Sequence, residues 1–431
     1  MRRSPRQVGL GAGIVLMIVT ALTIGAAPAA SADPVPDLSS VAAIESYLVS
    51  IGVDPGDAVW QEGLRNYAGP SCPGVGWNCV AADAPIVQIA DPDGTNLFKC
   101  TGSDCVAVQV ALSAGKNSAV CARGDNHATD ALQVCEVTQA NTTGNNVAVI
   151  NQNIEQKGPA VTARQVARIT QANDSGKNSA TFHQVVSQSS KIKWTNQSQD
   201  AHQAATLDQH NGSGDDTSDI DQRQSQTQNA PRSTTLTQQQ NATAGTDLLS
   251  CDRPGDSTFD QAKNQCAEVS QEATDGGNHS DLDQLISERQ TAGRAVDVEQ
   301  DQGTFVGGQG GTVDQLSSEP TDSEADQDMH QVQSASGVTG ALFQSQITGD
   351  PRCCQTQGTN PNNTAEITQT TDQQASDPNA FQDAVLQGDC DSSGSCHVVQ
   401  SATIDGVTQQ DECGPDVTTC HIFTFNSSGG D

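Results

Sequence analysis

The sequence predicts a mainly β fold: a β-solenoid of stacked two-strand coils, each of about 31 residues, with a small disulfide-linked helical head at its N-terminus. Three observations point there. Of the 431 residues, 34% are hydrophobic and 3% aromatic, and mean hydropathy is −0.47, which is too little apolar mass for conventional close-packed cores. Glutamine fills the gap: 43 of the 47 glutamines lie between Gln133 and Gln410, so the chain is either disordered or buries amides in hydrogen-bonded ladders. A recurring frame with strand-like alternation favours the ladders.

In chain order, Arg2, Arg3 and Arg6 precede an apolar run from Val8 to Ala27, and Ala30-Ser31-Ala32 has the small-residue form of a signal-peptidase site. Residues 1–32 therefore read as a secretory signal peptide, with the mature chain starting at Asp33 and nothing anchoring it to a membrane after cleavage. Residues 33–80 read as a small helical head. Val41, Ile44, Leu48 and Ile51 follow helical spacing behind Ser39 and Ser40, and Asp57 is placed to cap a second helix carrying Trp60, Leu64 and Tyr67. The head is expected to cap the end of the stack. Residues 81–106 read as a disulfide-bearing connector, 107–412 as the repeats and 413–431 as a C-terminal cap or tail.

The 14 cysteines fall mostly in close pairs: Cys72/Cys79, Cys100/Cys105, Cys121/Cys135, Cys251/Cys266, Cys390/Cys396 and Cys413/Cys420. An even count behind a signal peptide points to disulfides. With no Cys-x-x-Cys and eight scattered histidines, no metal or other cofactor is expected.

The repeat frame is clearest twice. Gln139, Gly144, Asn146, Ala148, Ile150 and Gln152 match Gln171, Gly176, Asn178, Ala180, Phe182 and Gln184 offset for offset. Looser copies run from Gln209 through Gly214 to Gln222, from Gln271 through Gly276 and Asn278 to Gln284, from Gln302 through Gly307 to Gln315, and from Gln331 to Gln344. Period-two alternation puts the ladder residues on one face of each strand, and stacking aligns like residues into columns at about 4.8 Å. The glycines and asparagines are expected to supply positive φ in a tight arch. Roughly nine or ten coils follow, about 45 Å in all.

The pattern Asn146-x-Ala148-x-x-x-Gln152, repeated at Asn178-x-Ala180-x-x-x-Gln184 and in part at Asn363-x-Ala365-x-Ile367-x-Gln369, resembles the curlin repeat of bacterial curli fibres over about residues 107–410. The unit here is longer, and cysteines interrupt it. The resemblance implies inward Gln and Asn ladders in a β-solenoid that associates end to end into extracellular functional amyloid of biofilms.

Charge narrows the partners. With 20 Lys+Arg against 52 Asp+Glu, a net charge of −32 repels phosphate backbones and anionic lipid heads, so nucleic acid and membranes are not expected ligands. The last lysine is Lys263, and acids from Asp275 to Asp326 read as gatekeepers on exposed edges. No Gly-x-Ser-x-Gly, His-Glu-x-x-His, Walker loop or dinucleotide fingerprint occurs, so no catalytic residues are expected. The sequence thus points to a secreted, extracellular or surface-associated structural protein that self-associates. The alternative is a soluble solenoid that binds a glycan, cell surface or protein partner.

Overall fold

The computed structural model describes residues 38–427 except segments 63–76, 82–84, 91–92, 101–103, 112–113, 124–126, 192–196, 231–237, 241–264, 274–275, 293–297, 303–308, 318–321, 336–341, 349–353, 358–363, 376–380, 392–394, 405–406 and 414–418 and residues 39, 52 and 159. The signal peptide, Cys72, Cys251 and Gly307 lie outside the described residues. So do the side chains of Cys79, Cys266, Cys390, Cys396 and Cys420.

Among the described residues one helix, α1 (Val41–Ser50), precedes a β-solenoid of ten coils. The first six pair β1 (Val59–Glu62) with β2 (Trp77–Ala81), β3 (Ile86–Ile89) with β4 (Thr95–Cys100), β5 (Asp104–Ala111) with β6 (Lys116–Arg123), β7 (Asp130–Asn141) with β8 (Asn146–Lys157), β9 (Ala160–Asn173) with β10 (Asn178–Ser190), and β11 (Gln197–Asn211) with β12 (Asp216–Ala230). In the next three the first strand is split. These are β13 (Gln238–Gln240) and β14 (Gln265–Ala273) before β15 (Asn278–Ala292), β16 (Val298–Gln302) and β17 (Gln309–Ser317) before β18 (Asp322–Ala335), and β19 (Leu342–Thr348) and β20 (Cys354–Gln357) before β21 (Thr364–Ala375). The tenth is β22 (Phe381–Asp391) with β23 (Ser395–Ile404).

First strands stack into one parallel sheet and second strands into another. The register aligns like with like: Gln139 with Gln171, Asn146 with Asn178, and Ile150 with Phe182. The core lies between the sheets, where Ile150, Phe182, Ile220 and Leu282 face Val137, Ile169 and Leu207. A second apolar compartment of Ala131, Ile154, Ala163, Val186 and Ala201 is set off from it by glutamine columns. In the early coils two disulfides cross the core. Cys100–Cys105 and Cys121–Cys135 each join the sheets, and the register stacks Cys100 on Cys121 and Cys105 on Cys135.

The head differs from expectation. The first helix forms as the spacing predicts: the Ser40 hydroxyl accepts from Ala43 N at 3.2 Å, and Ile44 and Leu48 are buried. Over residues 59–62 the predicted second helix is replaced by β1, because parallel pairing puts Trp60 on Val87 and Gln61 on Gln88, which overrides a weak helical spacing; Leu64 and Tyr67 lie outside the described residues. Asp57 closes a turn instead, donating its N–H to Asp54 O at 2.9 Å. Nor does α1 cap the stack. It packs on the outward face of the first sheet against Val87, Val108 and Val110, and Tyr47 Oη lies 2.8 Å from Thr138 Oγ1. That outward face is therefore apolar and covered in the early coils.

Boundaries shift for the same reason. The segment read as a connector, 81–106, already contains coils, since Gln88 and Asn96 occupy ladder positions. At the other end, β24 (Val407–Cys413) and β25 (Thr419–Ser427) pair antiparallel with β23 and β22, and Cys413 is disulfide-bonded. The unit is not a constant 31 residues. Successive glutamines of one column are separated by 21, 30, 32, 38 and 62 residues, so the step from Gln209 to Gln271 is one coil.

The arch explains the glycines differently from the sequence reading. None of Gly144, Gly176, Gly214 or Gly276 has a left-handed φ, and Asp93 (φ 61°) is the one non-glycine with positive φ among the described residues. Glycine is needed because arches stack on one another: a Cβ on Gly176 would lie 1.6 Å from the carbonyl oxygen of Gly144. We expect Gly176→Ala to lower stability by about 3 kcal/mol or more, since backbone cannot yield as a side chain can. Gly158→Ala, whose Cβ would meet Val161 Cγ1 at 3.2 Å, is the control and should cost well under half of that. Thermal midpoints of the two variants check this.

Candidate functional site

The distinguishing chemistry of the fold is its buried amides. Gln88, Gln109, Gln139, Gln171, Gln209 and Gln271 form one column in the first sheet, all at most 1% exposed. Each Nε2 donates to the Oε1 of the preceding coil: Gln109 to Gln88 at 2.7 Å, Gln139 to Gln109 at 2.8 Å, Gln171 to Gln139 at 2.7 Å, Gln209 to Gln171 at 2.7 Å and Gln271 to Gln209 at 2.8 Å. The same nitrogens also donate across the core to carbonyls of the second sheet, as Gln139 does to Val147 O at 3.0 Å and Gln171 to Ser179 O at 3.0 Å. Both hydrogens of each amide are used, so burying the group carries little net cost.

The second sheet returns the arrangement. Gln184 donates to Gln152, Gln222 to Gln184 and Gln284 to Gln222, each at 2.8 Å, while Gln152 and Gln184 reach Val166 O and Ala204 O at 3.0 and 3.1 Å. Far along the chain Gln400 still donates to Gln369 at 2.7 Å. Two further columns flank the apolar compartments. Gln203 donates to Gln165 at 3.0 Å and Gln165 to Gln133 at 3.1 Å; Gln226 donates to Gln188 and Gln188 to Gln156, each at 2.8 Å.

An asparagine column runs the other way. Asn96 donates to Asn117 at 2.9 Å, Asn117 to Asn146 at 2.8 Å, Asn146 to Asn178 at 2.9 Å and Asn178 to Asp216 at 3.0 Å, each toward the following coil. Glutamine columns donate toward the N-terminal end and this one toward the C-terminal end.

The sequence frame located most of these residues. Gln139, Asn146, Ala148, Ile150, Gln152, Gln171, Asn178, Ala180, Phe182, Gln184, Gln209, Gln222, Gln271, Asn278 and Gln284 are all buried and in register. Four were assigned to the wrong place. Gln315, not Gln302, pairs with Gln271, and Gln327, not Gln315, pairs with Gln284. Gln302 pairs with Gln346, Gln331 with Glu288 and Gln373, and Gln344 with Gln300 and Gln382. In the eighth coil the column glutamines Gln315 and Gln327 are twelve apart, and the thirteen-residue pair Gln302 and Gln315 straddles the split in the first strand instead. Ala365, Ile367 and Gln369 fall in register with Ser323, Ala325 and Gln327, while Asn363 lies outside the described residues.

One arch residue was missed. Asn141, Asn173 and Asn211 stand three before the arch glycines; Asn173 Nδ2 donates to Gly144 O at 2.6 Å and its Oδ1 accepts from Gly176 N at 2.9 Å. The recurring Asn-x-x-Gly was its visible signal.

Two of the acids read as gatekeepers sit differently from expectation. Asp281 and Asp283 lie on β15, an interior strand, in register with Asp219 and Asp221 of β12, so they face outward in rows instead of guarding an edge. Burial, with Asp281 and Asp221 beside it, holds the Asp219 carboxyl above its ordinary range. Asp221 accepts from Arg223 Nε at 2.8 Å and lies 3.0 Å from His183 Nδ1. In the arch, Lys177 donates to Asp215 at 2.6 Å and holds that carboxyl below its usual range.

No protein-family model, curated protein or solved structure matches the chain.

Gln184→Leu removes the donor to Gln152 Oε1 and Ala204 O and the acceptor of Gln222 Nε2. Three buried polar atoms each lose a hydrogen bond, so a loss of about 3 kcal/mol or more is expected. The outward Ser187→Ala should stay within about 0.5 kcal/mol of wild type in the same denaturant titration.

Proposed function

We propose that the protein is a secreted, non-enzymatic structural protein that contributes to extracellular surface or matrix fibres by curlin-like association along its stacking axis. The observation that carries this reading is the single direction kept by each amide column from coil to coil. A second copy stacked in the same sense meets matched donors and acceptors, so the bonding that joins coils also suits the joining of molecules. The signal-peptide reading of residues 1–32 supports export, and the net charge of −32 argues against nucleic acid and anionic membranes as partners.

A second reading is favoured by the C-terminal end. There β24 reverses direction, Gln400 faces Asp411 instead of another glutamine, and residues 407–412 are exposed. Asp411 has no amide hydrogen to continue the column, so this end is closed to templated growth. A closed end suits a soluble adhesion or binding module for a glycan, surface or protein partner.

Concentrating the oxidised chain from Asp33 to Asp431 separates the two by electron microscopy, dye binding and far-UV circular dichroism. Fibres with a β spectrum support the structural reading, and β-rich monomers shift it to the binding module. A coil-like spectrum removes both. If closure of the C-terminal end restrains growth, a chain ending at residue 406 should assemble faster than the full chain. Equal rates would show that β24 and β25 are not the restraint.

A further inference from the structure

Along the asparagine column every side chain spends its two amide hydrogens in the same way. One goes to the side chain of the next coil and the other to a carbonyl of the first sheet: Asn117 to Ala140 O at 2.8 Å, Asn146 to Ala172 O at 2.9 Å and Asn178 to His210 O at 3.1 Å. At the sixth coil the column meets an aspartate. The register puts Asp216 between Asn178 and Asn278, and it is 0% exposed.

One of its oxygens does what the column requires. Oδ1 accepts from Asn178 Nδ2 at 3.0 Å and from Asn211 Nδ2 at 3.1 Å. Oδ2 takes the place of the donor nitrogen, is buried, and has no hydrogen-bond partner. By the rule of the column, the groups due a hydrogen from that place are the Asn278 side chain and the carbonyl of Glu272, the residue in register with His210. A carboxylate offers acceptors to acceptors there.

We propose that Asp216 enters the column as a neutral carboxylic acid whose Oδ2–H replaces the absent amide hydrogen, so that one proton closes the joint between the sixth and seventh coils and its loss loosens that joint. The surroundings favour the protonated form. Burial pushes the carboxyl up to about 7, against the hydrogen bonds from Asn211 and Asn178 and the charge of His210, which pull it down. Beside it in the arch Asp215 pushes it further up, but that charge is engaged by Lys177 at 2.6 Å. On β11, His210 lies 2.9 Å from Asp208. β10 and β15 present the neutral amides of Asn178 and Asn278, and the adjoining His279 is exposed.

The sign follows from linkage. The folded carboxyl binds its proton more tightly than the unfolded one, so its contribution is complete below about pH 4 and is lost as pH rises toward about 7. Acid tightens the joint and alkali opens it.

Asp216→Asn, which restores the residue used elsewhere in the column, is the test. Thermal midpoints of the full-length wild type and variant are compared from about pH 4 to about pH 8.5, the subtraction cancelling the other carboxylates. The midpoints should lie closest at the acid end, diverge in the variant's favour as pH rises to about 7, and keep a constant separation above that. Infrared spectra should show a protonated-carboxyl band in the wild type at about pH 6 that is absent from the variant. A difference in midpoint that does not change with pH, or no such band, overturns the proposal. A variant that fails to fold overturns it as well, because the proposal requires this position to accept an amide.

Discussion

Everything in this fold depends on a property of the carboxamide: it brings two donors and an acceptor, and burial is tolerated only when all are used. Here the axial neighbour takes one hydrogen and supplies the next, while the facing sheet takes the other. Because the crosswise bond runs from Gln171 to Ser179 O and from Gln139 to Val147 O, each glutamine also sets the spacing of the sheets and the tightness of the arch between them. Stacked arches then leave no room for a Cβ, and glycine follows at residues 144, 176 and 214 as a consequence of the columns. The apolar residues fill what remains, which is why 34% hydrophobic content suffices.

What was legible in the sequence was the part repeated without insertion. Gln139 to Gln152 and Gln171 to Gln184 share every offset, and the structure lays them on one another residue for residue. Legibility failed where the physics permits freedom. Column register constrains what enters the core but not how much chain leaves it, so a step of 62 residues between Gln209 and Gln271 is as well bonded as one of 32. Gln302, Gln315, Gln331 and Gln344 belong to coils with split first strands, and composition alone could not tell an axial glutamine from its neighbours there. The second head helix failed for another reason. Trp60 fits a helical spacing and a strand column equally well, and pairing with β3 decided between them.

The disulfides and the helix reinforce the coils that have fewest amides. Strands in the first three coils are 4 to 8 residues long, against 12 to 15 in the fourth to sixth. In those coils the first sheet carries one glutamine column instead of two and the second sheet none, and it is there that Cys100–Cys105 and Cys121–Cys135 cross the core and α1 covers the outer face. The fifth and sixth coils, wide enough for several columns, contain no cysteine and hold without such additions.

The direction of the columns has an electrical consequence. An amide chain aligned head to tail sums its dipoles, as a helix does along its axis. Four glutamine columns point their N–H groups toward the N-terminal end and one asparagine column points the opposite way, so the sum does not cancel. The solenoid is therefore polarised along its length, positive toward the first coil. The fixed charges run in the same sense, since the last lysine is Lys263 and acids crowd the segment beyond it. A long molecule of this kind carries an orienting torque in any external field, which turns its first coil toward negative charge.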